Sequence, residues 1–477
     1  MNITHYNVYK IVVTIIFIIG TNISNAQNIW NLEKCITYAI TNNIQVKQQE
    51  LNVKFQKNTL VQSQLNRLPA INAGVSGTQS YGSSVDPFTS DFTEIDNQSA
   101  NLFLSASMNL FNGFQNENKA RMNQFNLMAS VADLEKMKND ISLNIAAAYL
   151  MILFNDEIAT TAKIQVDMTR LQVARTAVLV NAGSLPKGSL LEVQAQLANE
   201  ELQLINNQNQ LRTSYLTLKQ LLQLDSIDNF SIEKPQISEP DSLLDLPLVE
   251  QIYNEAIGLP QIKSAELKVY SAQKSLAMSK GGRYPRLSLS ASIATGYSSA
   301  RSKYEQVAGN PVPFGYVGTT GDVVFIPSMI TNTLDYPYNQ QFNDNVSKSI
   351  SLNLSIPIFN NYMTQSSISN SKINVANYEY QLQAVKNNLY NEIQSAHNDV
   401  FAAQARFKAS VKAIQALEES FNYTQQKFDL GLMNSIDYTT AKNNLTKAQS
   451  DYIQAKYDYV FKMNVINFYR GKPLKIN

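Results

Sequence analysis

The sequence predicts a mainly α-helical chain with a small β part, built twice over from a helix, two strands, a long helix and a returning helix. Three observations carry this: an internal repeat, two very long proline-free runs with helical periodicity, and short runs of strict apolar alternation.

The repeat has two registers. Glu50-Leu51-Asn52-Val53 returns as Glu266-Leu267-Lys268-Val269, an offset of 216 that also pairs Gln45 with Gln261, Pro69 with Pro285 and Tyr81 with Tyr297. Further on the offset becomes 248, pairing Leu102, Leu104 and Leu110 with Ile350, Leu352 and Ile358, and Gly183 with Gly431. The second copy therefore carries 32 extra residues between Tyr297 and Ile350. A unit this long is a gene-scale duplication, not a short solenoid period.

Taken in chain order, residues 1–26 read as a secretory signal. Lys10 precedes the apolar run Ile11–Ile19, and Ser24-Asn25-Ala26 offers small residues for cleavage. The first repeat is expected over 27–224 and the second over 250–477. A linker over 225–249, with Pro235, Pro240 and Pro247, separates them. Polar helices are expected at about 33–66 and 250–281, each stopping before a proline. Strands are expected at about 70–81, 101–111, 286–297 and 349–359. In Ser351-Leu352-Asn353-Leu354-Ser355-Ile356 one face is wholly apolar and the other small or polar. Residues 298–345, rich in Gly, Pro, Tyr and Ser, read as a long loop.

No proline interrupts 115–182 or 364–430. A helix of that length would run on the order of 100 Å at about 1.5 Å per residue. Its apolar stripe, Leu134, Met137, Ile141, Ile145, Ala148 and Ile152 in the first copy, is narrow and flanked by Asn, Gln, Lys and Ser. That pattern fits helices packed side by side as coiled coil rather than a compact core. Each helix turns at a glycine, Gly183 or Gly431, and returns over about 189–224 or 435–468, with Ser189 and Ser435 as candidate caps.

Beyond residue 26 no run of 18 apolar residues occurs, so contact with a membrane would have to be made by a β-barrel. Four strands cannot close a barrel, for which about eight is the practical minimum. Copies of the chain would have to share one, and three copies would give twelve strands. A soluble coiled-coil protein of the periplasm, with the strands as a cap, is the alternative. It would have to bury both apolar faces.

Composition narrows the chemistry. Without the signal, basic and acidic residues balance at 38 each, which argues against a nucleic-acid partner. Cys35 is the single cysteine, and His397 the single histidine beyond the signal. A disulfide framework, a His-rich metal site and a His-dependent triad are thereby disfavoured. His397 reads as a polar position on a helix. Neither a phosphate-binding Gly-x-x-x-x-Gly-Lys loop nor a Gly-x-Ser-x-Gly elbow occurs, so neither an enzyme nor a cofactor is expected.

Ala39-Ile40-Thr41-Asn42-Asn43, Ala146-Ala147-Ala148-Tyr149, Gly183 with Leu190–Gln196, and Phe428-Asp429-Leu430-Gly431-Leu432, in their duplicated order, resemble the TolC-like outer-membrane efflux protein family. The resemblance covers almost the whole chain beyond the signal. It implies a homotrimer with a twelve-stranded barrel in the outer-membrane lipid and a helical tunnel through the periplasm. Such a protein is a passive exit duct for efflux or type I secretion. It works with a periplasmic adaptor and an inner-membrane pump of RND or ABC type. By the same resemblance Gly183, Leu185, Leu430, Gly431 and Leu432 would form the adaptor-docking tips, and Asp437 and Thr440 the pore aperture, one ring acidic and one neutral. Phe428, Met433 and Ser189 stand where the family's salt-bridged latch would need other residues, so closure is expected to rest on packing.

Overall fold

The computed structural model describes residues 28–85, 92–224, 230–235 and 246–474. The signal expected at 1–26 lies outside them, as does most of the expected linker. In chain order the first repeat holds β1 (Asn28–Trp30), α1 (Leu32–Asn42), α2 (Ile44–Leu65), β2 (Ala70–Val85), β3 (Phe92–Phe111), α3 (Gln115–Asn181) and α4 (Lys187–Leu222). After β4 (Phe230–Ile232) come α5 (Val249–Ala256), α6 (Pro260–Gly281) and β5 (Arg286–Ser298). Then follow β6 (Lys303–Ala308), β7 (Val312–Tyr316), β8 (Val323–Ile326), β9 (Met329–Leu334), α7 (Tyr338–Asp344), β10 (Ser347–Ser355), α8 (Met363–Asp429) and α9 (Ser435–Tyr469).

The chain divides into two compact units. Among the described residues, one comprises those within 28–56, 127–269 and 378–474, and the other those within 57–126 and 270–377. The first is helical. It holds two apolar clusters, and these preserve the duplication position by position. Val46, Ile141, Ile145, Ile152 and Leu218 fill one cluster, and Ile262, Leu389, Ile393, Val400 and Ile466 fill the other. Offsets of 216 and 248 relate the two sets, so the repeat seen in sequence is a repeat of core-facing positions.

A stretch of α3 is long and apolar enough, by length and composition, to cross a membrane. Its residues Ile145, Tyr149, Ile152 and Leu153 are instead buried in the first cluster. Tyr149 donates to the Glu233 carbonyl at 2.6 Å, fixing the parallel pair β1–β4 against α3. Burial in this cluster pushes the Cys35 thiol from its usual 9.0 up to about 12. Burial favours the neutral thiol, so the stability it contributes is present below pH 9 and is lost as pH rises toward 12. Cys35 of the folded protein is expected to resist iodoacetamide at pH 8 and to react fully in denaturant, as intact mass reads directly.

Three expectations need correction. The first helix of each repeat is broken in two. Asn43 ends α1 with extended backbone (φ −61°, ψ 130°), and its Oδ1 accepts the Gln45 N–H at 2.8 Å, while Gln223 Oε1 accepts the Ile44 N–H. In the second repeat Pro260 opens α6 afresh. Second, the caps are Pro186 and Asn434, not Ser189 and Ser435. The Ser435 hydroxyl is turned to the Glu192 carboxylate.

The third correction concerns the strands. β2 and β3 outrun their apolar alternation, because pairing continues through polar partners such as Gln79–Gln98 and Ser80–Asn97. β10 stops at Ser355, opposite Arg286, two residues before Pro357, which has no N–H to give to a ladder. The expected loop at 298–345 contains β6–β9 and α7.

In the second unit, strand and helix meet at a tight point. Gly113 has φ +67°, and a Cβ there would lie 2.2 Å from the Gly281 carbonyl oxygen. A Cβ on Gly281 would be 2.4 Å from that of Gly113. Neither position tolerates a side chain.

Candidate functional site

Two sites stand out, one in each unit. In the second unit, β2, β3, β5 and β10 form an antiparallel sheet in the order β10-β5-β3-β2. The register aligns Ala73, Leu104 and Ile293 on one face, beside Ala106 with Ala291 and Ile350, and Met108 with Leu289 and Leu352. The opposite face carries Asn72, Ser105, Ser292 and Ser349, then Ser107, Ser290 and Ser351. Ser292 and Ser349 hydrogen-bond across it at 2.8 Å. Phe103 is the large exception, and it lies over Gly74, where a Cβ would meet its ring at 2.5 Å.

An apolar sheet face normally packs on a core. Here Val75, Leu104, Leu352 and Leu354 are all exposed, and Ile350 reaches 81%. Among the described residues β2 and β10 each pair on one side only. The sheet is thus a wall segment, greasy on one surface, hydroxyl-lined on the other and open at both edges.

In the first unit the long helices turn in the same way twice. Gly183 (φ +75°) donates to Val180 O at 3.0 Å and Ser184 to Leu179 O at 2.9 Å. Gly431 (φ +73°) donates to Phe428 O at 3.0 Å and Leu432 to Lys427 O at 2.9 Å. This double bond at a left-handed residue closes the helix end, and glycine is the residue that adopts it without strain. Leu430 and Leu432 project into solvent, each 74% exposed, whereas Leu185 is half-buried.

Asp437 and Thr440 are exposed and lie one helical turn apart in the first turns of α9, on one face. Asp437 also serves the helix end. Its N–H donates to Asn434 Oδ1 at 2.8 Å, and Asn434 Nδ2 donates to Asp437 Oδ2 at 2.9 Å.

Beside the turns, sequence reasoning missed an aromatic stack within the second hairpin and the ion pairs that join the two hairpins. Phe428 stacks on Tyr438 at 4.5 Å, with Phe421 at 5.6 Å. Burial, then the nearby carboxylates of Asp429 and Glu200, pushes the Tyr438 hydroxyl above its ordinary pKa. Arg175 of α3 pairs with Asp429 of α8. Deeper, Lys442 of α9 reaches Glu200 of α4 at 3.0 and 3.2 Å and Thr169 of α3.

Ion pairs thus tie the two hairpins to each other within one chain. A lysine at 442, between Tyr438 and Leu445 on the buried stripe, was the available signal. His397 keeps its structural reading, bonded to the Pro247 carbonyl at 3.2 Å and packed on Phe401. Among the described residues no group of three His, Cys, Asp or Glu is placed to hold a metal ion.

Comparison with known proteins gives consistent findings. The model of the outer membrane efflux protein family matches residues 35–223 and 252–466. The outer membrane protein TolC of Escherichia coli is 21% identical over 332 residues, 67% of this chain and 58% of TolC. The alkaline protease secretion protein AprF of Pseudomonas aeruginosa is 23% identical over 212 residues, 44% of this chain and 41% of AprF. The chain thus spans about three fifths of the length of the TolC relatives, 58% and 60%.

Among solved structures, CusC, described for conformational changes accompanying folding and transmembrane channel formation, aligns with a TM-score of 0.74 at 16% identity, covering 93% of this chain and 92% of that one. The outer membrane protein VceC of Vibrio cholerae aligns at 0.72 and 17%, covering 93% and 97%. The fold is that of these outer-membrane channels.

Proposed function

Because this chain belongs to the outer membrane efflux protein family, located in the outer membrane and reaching into the periplasm, we propose that three copies form one passive exit duct. Edges β2 and β10 of neighbouring copies would pair, closing a twelve-stranded barrel from three four-stranded sheets. The observation that carries this is the exposed apolar sheet face backed by a Ser/Asn face with two open edges. Closure removes the edges, sets the apolar band against lipid and turns the hydroxyls to water. A soluble periplasmic coiled-coil protein would leave Ile350, Leu352 and Leu354 in water.

The helical unit supports the same reading. Leu171, Val178, Leu191 and Leu202 stay exposed on the long helices beside their buried stripe, a second apolar surface suited to neighbouring copies. The duct serves a tripartite efflux or type I secretion system, carrying small molecules or proteins delivered by an inner-membrane pump of RND or ABC type. The turns at Gly183 and Gly431, with Leu185, Leu430 and Leu432, receive the adaptor. Leu430 and Leu432 are the stronger candidates, because solvent-exposed leucines side by side at a turn gain most from a partner.

Asp437 and Thr440 line the aperture. Three Asp437 carboxylates around one axis make a negative ring that favours cations. Asp437→Asn removes the charge and keeps an amide able to serve the Asn434 cap. Reconstituted Asp437→Asn trimers are expected to lose most of their cation preference in asymmetric-salt reversal potentials. An unchanged reversal potential would remove Asp437 from the aperture.

A further inference from the structure

The 32 residues that the second repeat adds are a structured arm. β6 pairs with β9 from Lys303–Leu334 inward to Ala308–Met329, and β7 pairs with β8 from Val312–Ile326 to Tyr316–Val323. The pairs are nested, so residues 303–334 make one long bent hairpin. Its stem is mixed, with Lys303, Glu305, Gln306, Thr331 and Asn332. Its distal ribbon is apolar on both faces. Val312, Val324 and Ile326 lie on one, and Pro313, Phe325 and Tyr316 on the other. Phe314 and Tyr316 are each 75% exposed. From Gln306 to Leu334 the only charged residue is Asp322, in the turn.

The arm is held at its root. Gln341, fully buried, accepts from the Ser298 N–H at 3.0 Å and donates to the Ser298 and Tyr336 carbonyls. Thr295 donates to the Phe342 carbonyl at 2.6 Å, and Asn345 to that of Gly296 at 2.7 Å. Tyr336 donates to Asp344 at 2.7 Å, and Arg301 lies over the Tyr336 ring. This clamp fixes where the ribbon leaves the sheet, between β5 and the edge strand β10.

We propose that the distal ribbon, Val312–Ile326, packs against the same ribbon of the two other copies and constricts the mouth of the barrel. The inference rests on the trimeric duct reading. Four arguments select this occupant. A lone two-stranded ribbon is marginal in water and needs cover. Hydrocarbon cannot supply it, because among the described residues β7 and β8 pair only with each other, leaving both ribbon edges open, and lying flat on lipid would cover one face only. Three-fold symmetry gives every ribbon two neighbours, one for each apolar face. The arm also springs from beside β10, the strand that would adjoin the next copy.

The test places Phe314→Cys in a Cys35→Ala chain, with Gln306→Cys in the stem for comparison. Particles whose detergent-corrected mass is three chains are treated with a short bismaleimide. The expected result is covalent dimers from position 314, at most one per three-chain particle because each chain carries one thiol, and far fewer from position 306. A second variant replaces residues 310–328 with a short Gly-Ser turn, keeping the clamp, and is expected to raise single-channel conductance at unchanged particle mass. Three-chain particles that neither cross-link at 314 nor gain conductance on deletion would overturn the constriction and leave the duct intact. So would a dye at 314 quenched by spin-labelled lipid in vesicles, which assigns the ribbon to the membrane surface. Single-chain particles would overturn the duct reading itself.

Discussion

Leu352→Arg is expected to abolish accumulation of the assembled protein in the outer membrane, while Ser290→Asp leaves assembly intact and shifts ion selectivity. Leu352 and Ser290 sit on neighbouring strands but on opposite faces, since Leu352 aligns with Leu289 and Ser290 with Ser351. If the apolar face meets lipid, an arginine near mid-depth costs roughly 2–4 kcal/mol. The cost recurs in every copy of a shared barrel, so the assembly carries it three times over. On the hydroxyl face a carboxylate stays in water, and its charge adds to the field in the lumen. Heat-modifiable trimer bands in outer-membrane fractions read the first variant, and reversal potentials the second. Equal accumulation of Leu352→Arg would show that this face does not meet hydrocarbon.

The second large effect belongs to the helical unit. Lys442→Met is expected to destabilise it by about 3–5 kcal/mol, because Glu200 would be left buried without its counter-charge. The side chain of Lys442 is 7% exposed and that of Glu200 14%. Replacing both, as Lys442→Met with Glu200→Leu, is expected to restore most of the loss, since a well-packed apolar pair of similar volume is often neutral against a buried ion pair. The exposed Arg175–Asp429 pair nearer the turns is expected to contribute less than about 1 kcal/mol, being screened by water. Thermal unfolding in detergent, with limited proteolysis at the Gly183 and Gly431 turns, separates these cases. A single variant as stable as the parent would show that Lys442 and Glu200 do not join the hairpins.

Much of this was legible in the sequence because it depends on local period. Alternation at Leu102–Leu110 and Ile350–Leu354 assigned the sheet faces, and the stripe at Ile141, Ile145 and Ile152 assigned the core side of α3. The repeat relating Ile145 to Ile393 then located the second core from the first.

What escaped depends on residues far apart in the chain. The break at Asn43 needs Gln223 and the Leu221 carbonyl, some 180 positions away, to receive the freed groups. Lys442 falls on the buried stripe between Tyr438 and Leu445, but its partners Glu200 and Thr169 lie 242 and 273 positions away. The arm at 303–334 was masked by its own glycines and prolines, which read as loop. Its nested pairing is long-range, and nothing local distinguishes Val312–Tyr316 from an apolar linker. The strand ends were misjudged because hydrogen bonding, not apolar alternation, carries β2 and β3 past the greasy band.

The central claim is that the sheet is one third of a barrel, and the mass of the particle tests it most directly. Protein extracted from outer membranes in mild detergent, with the bound micelle subtracted, is expected to weigh three chains. A single chain that stays soluble without detergent would contradict the account, because the apolar face of β3, β5 and β10 would then be covered within one copy.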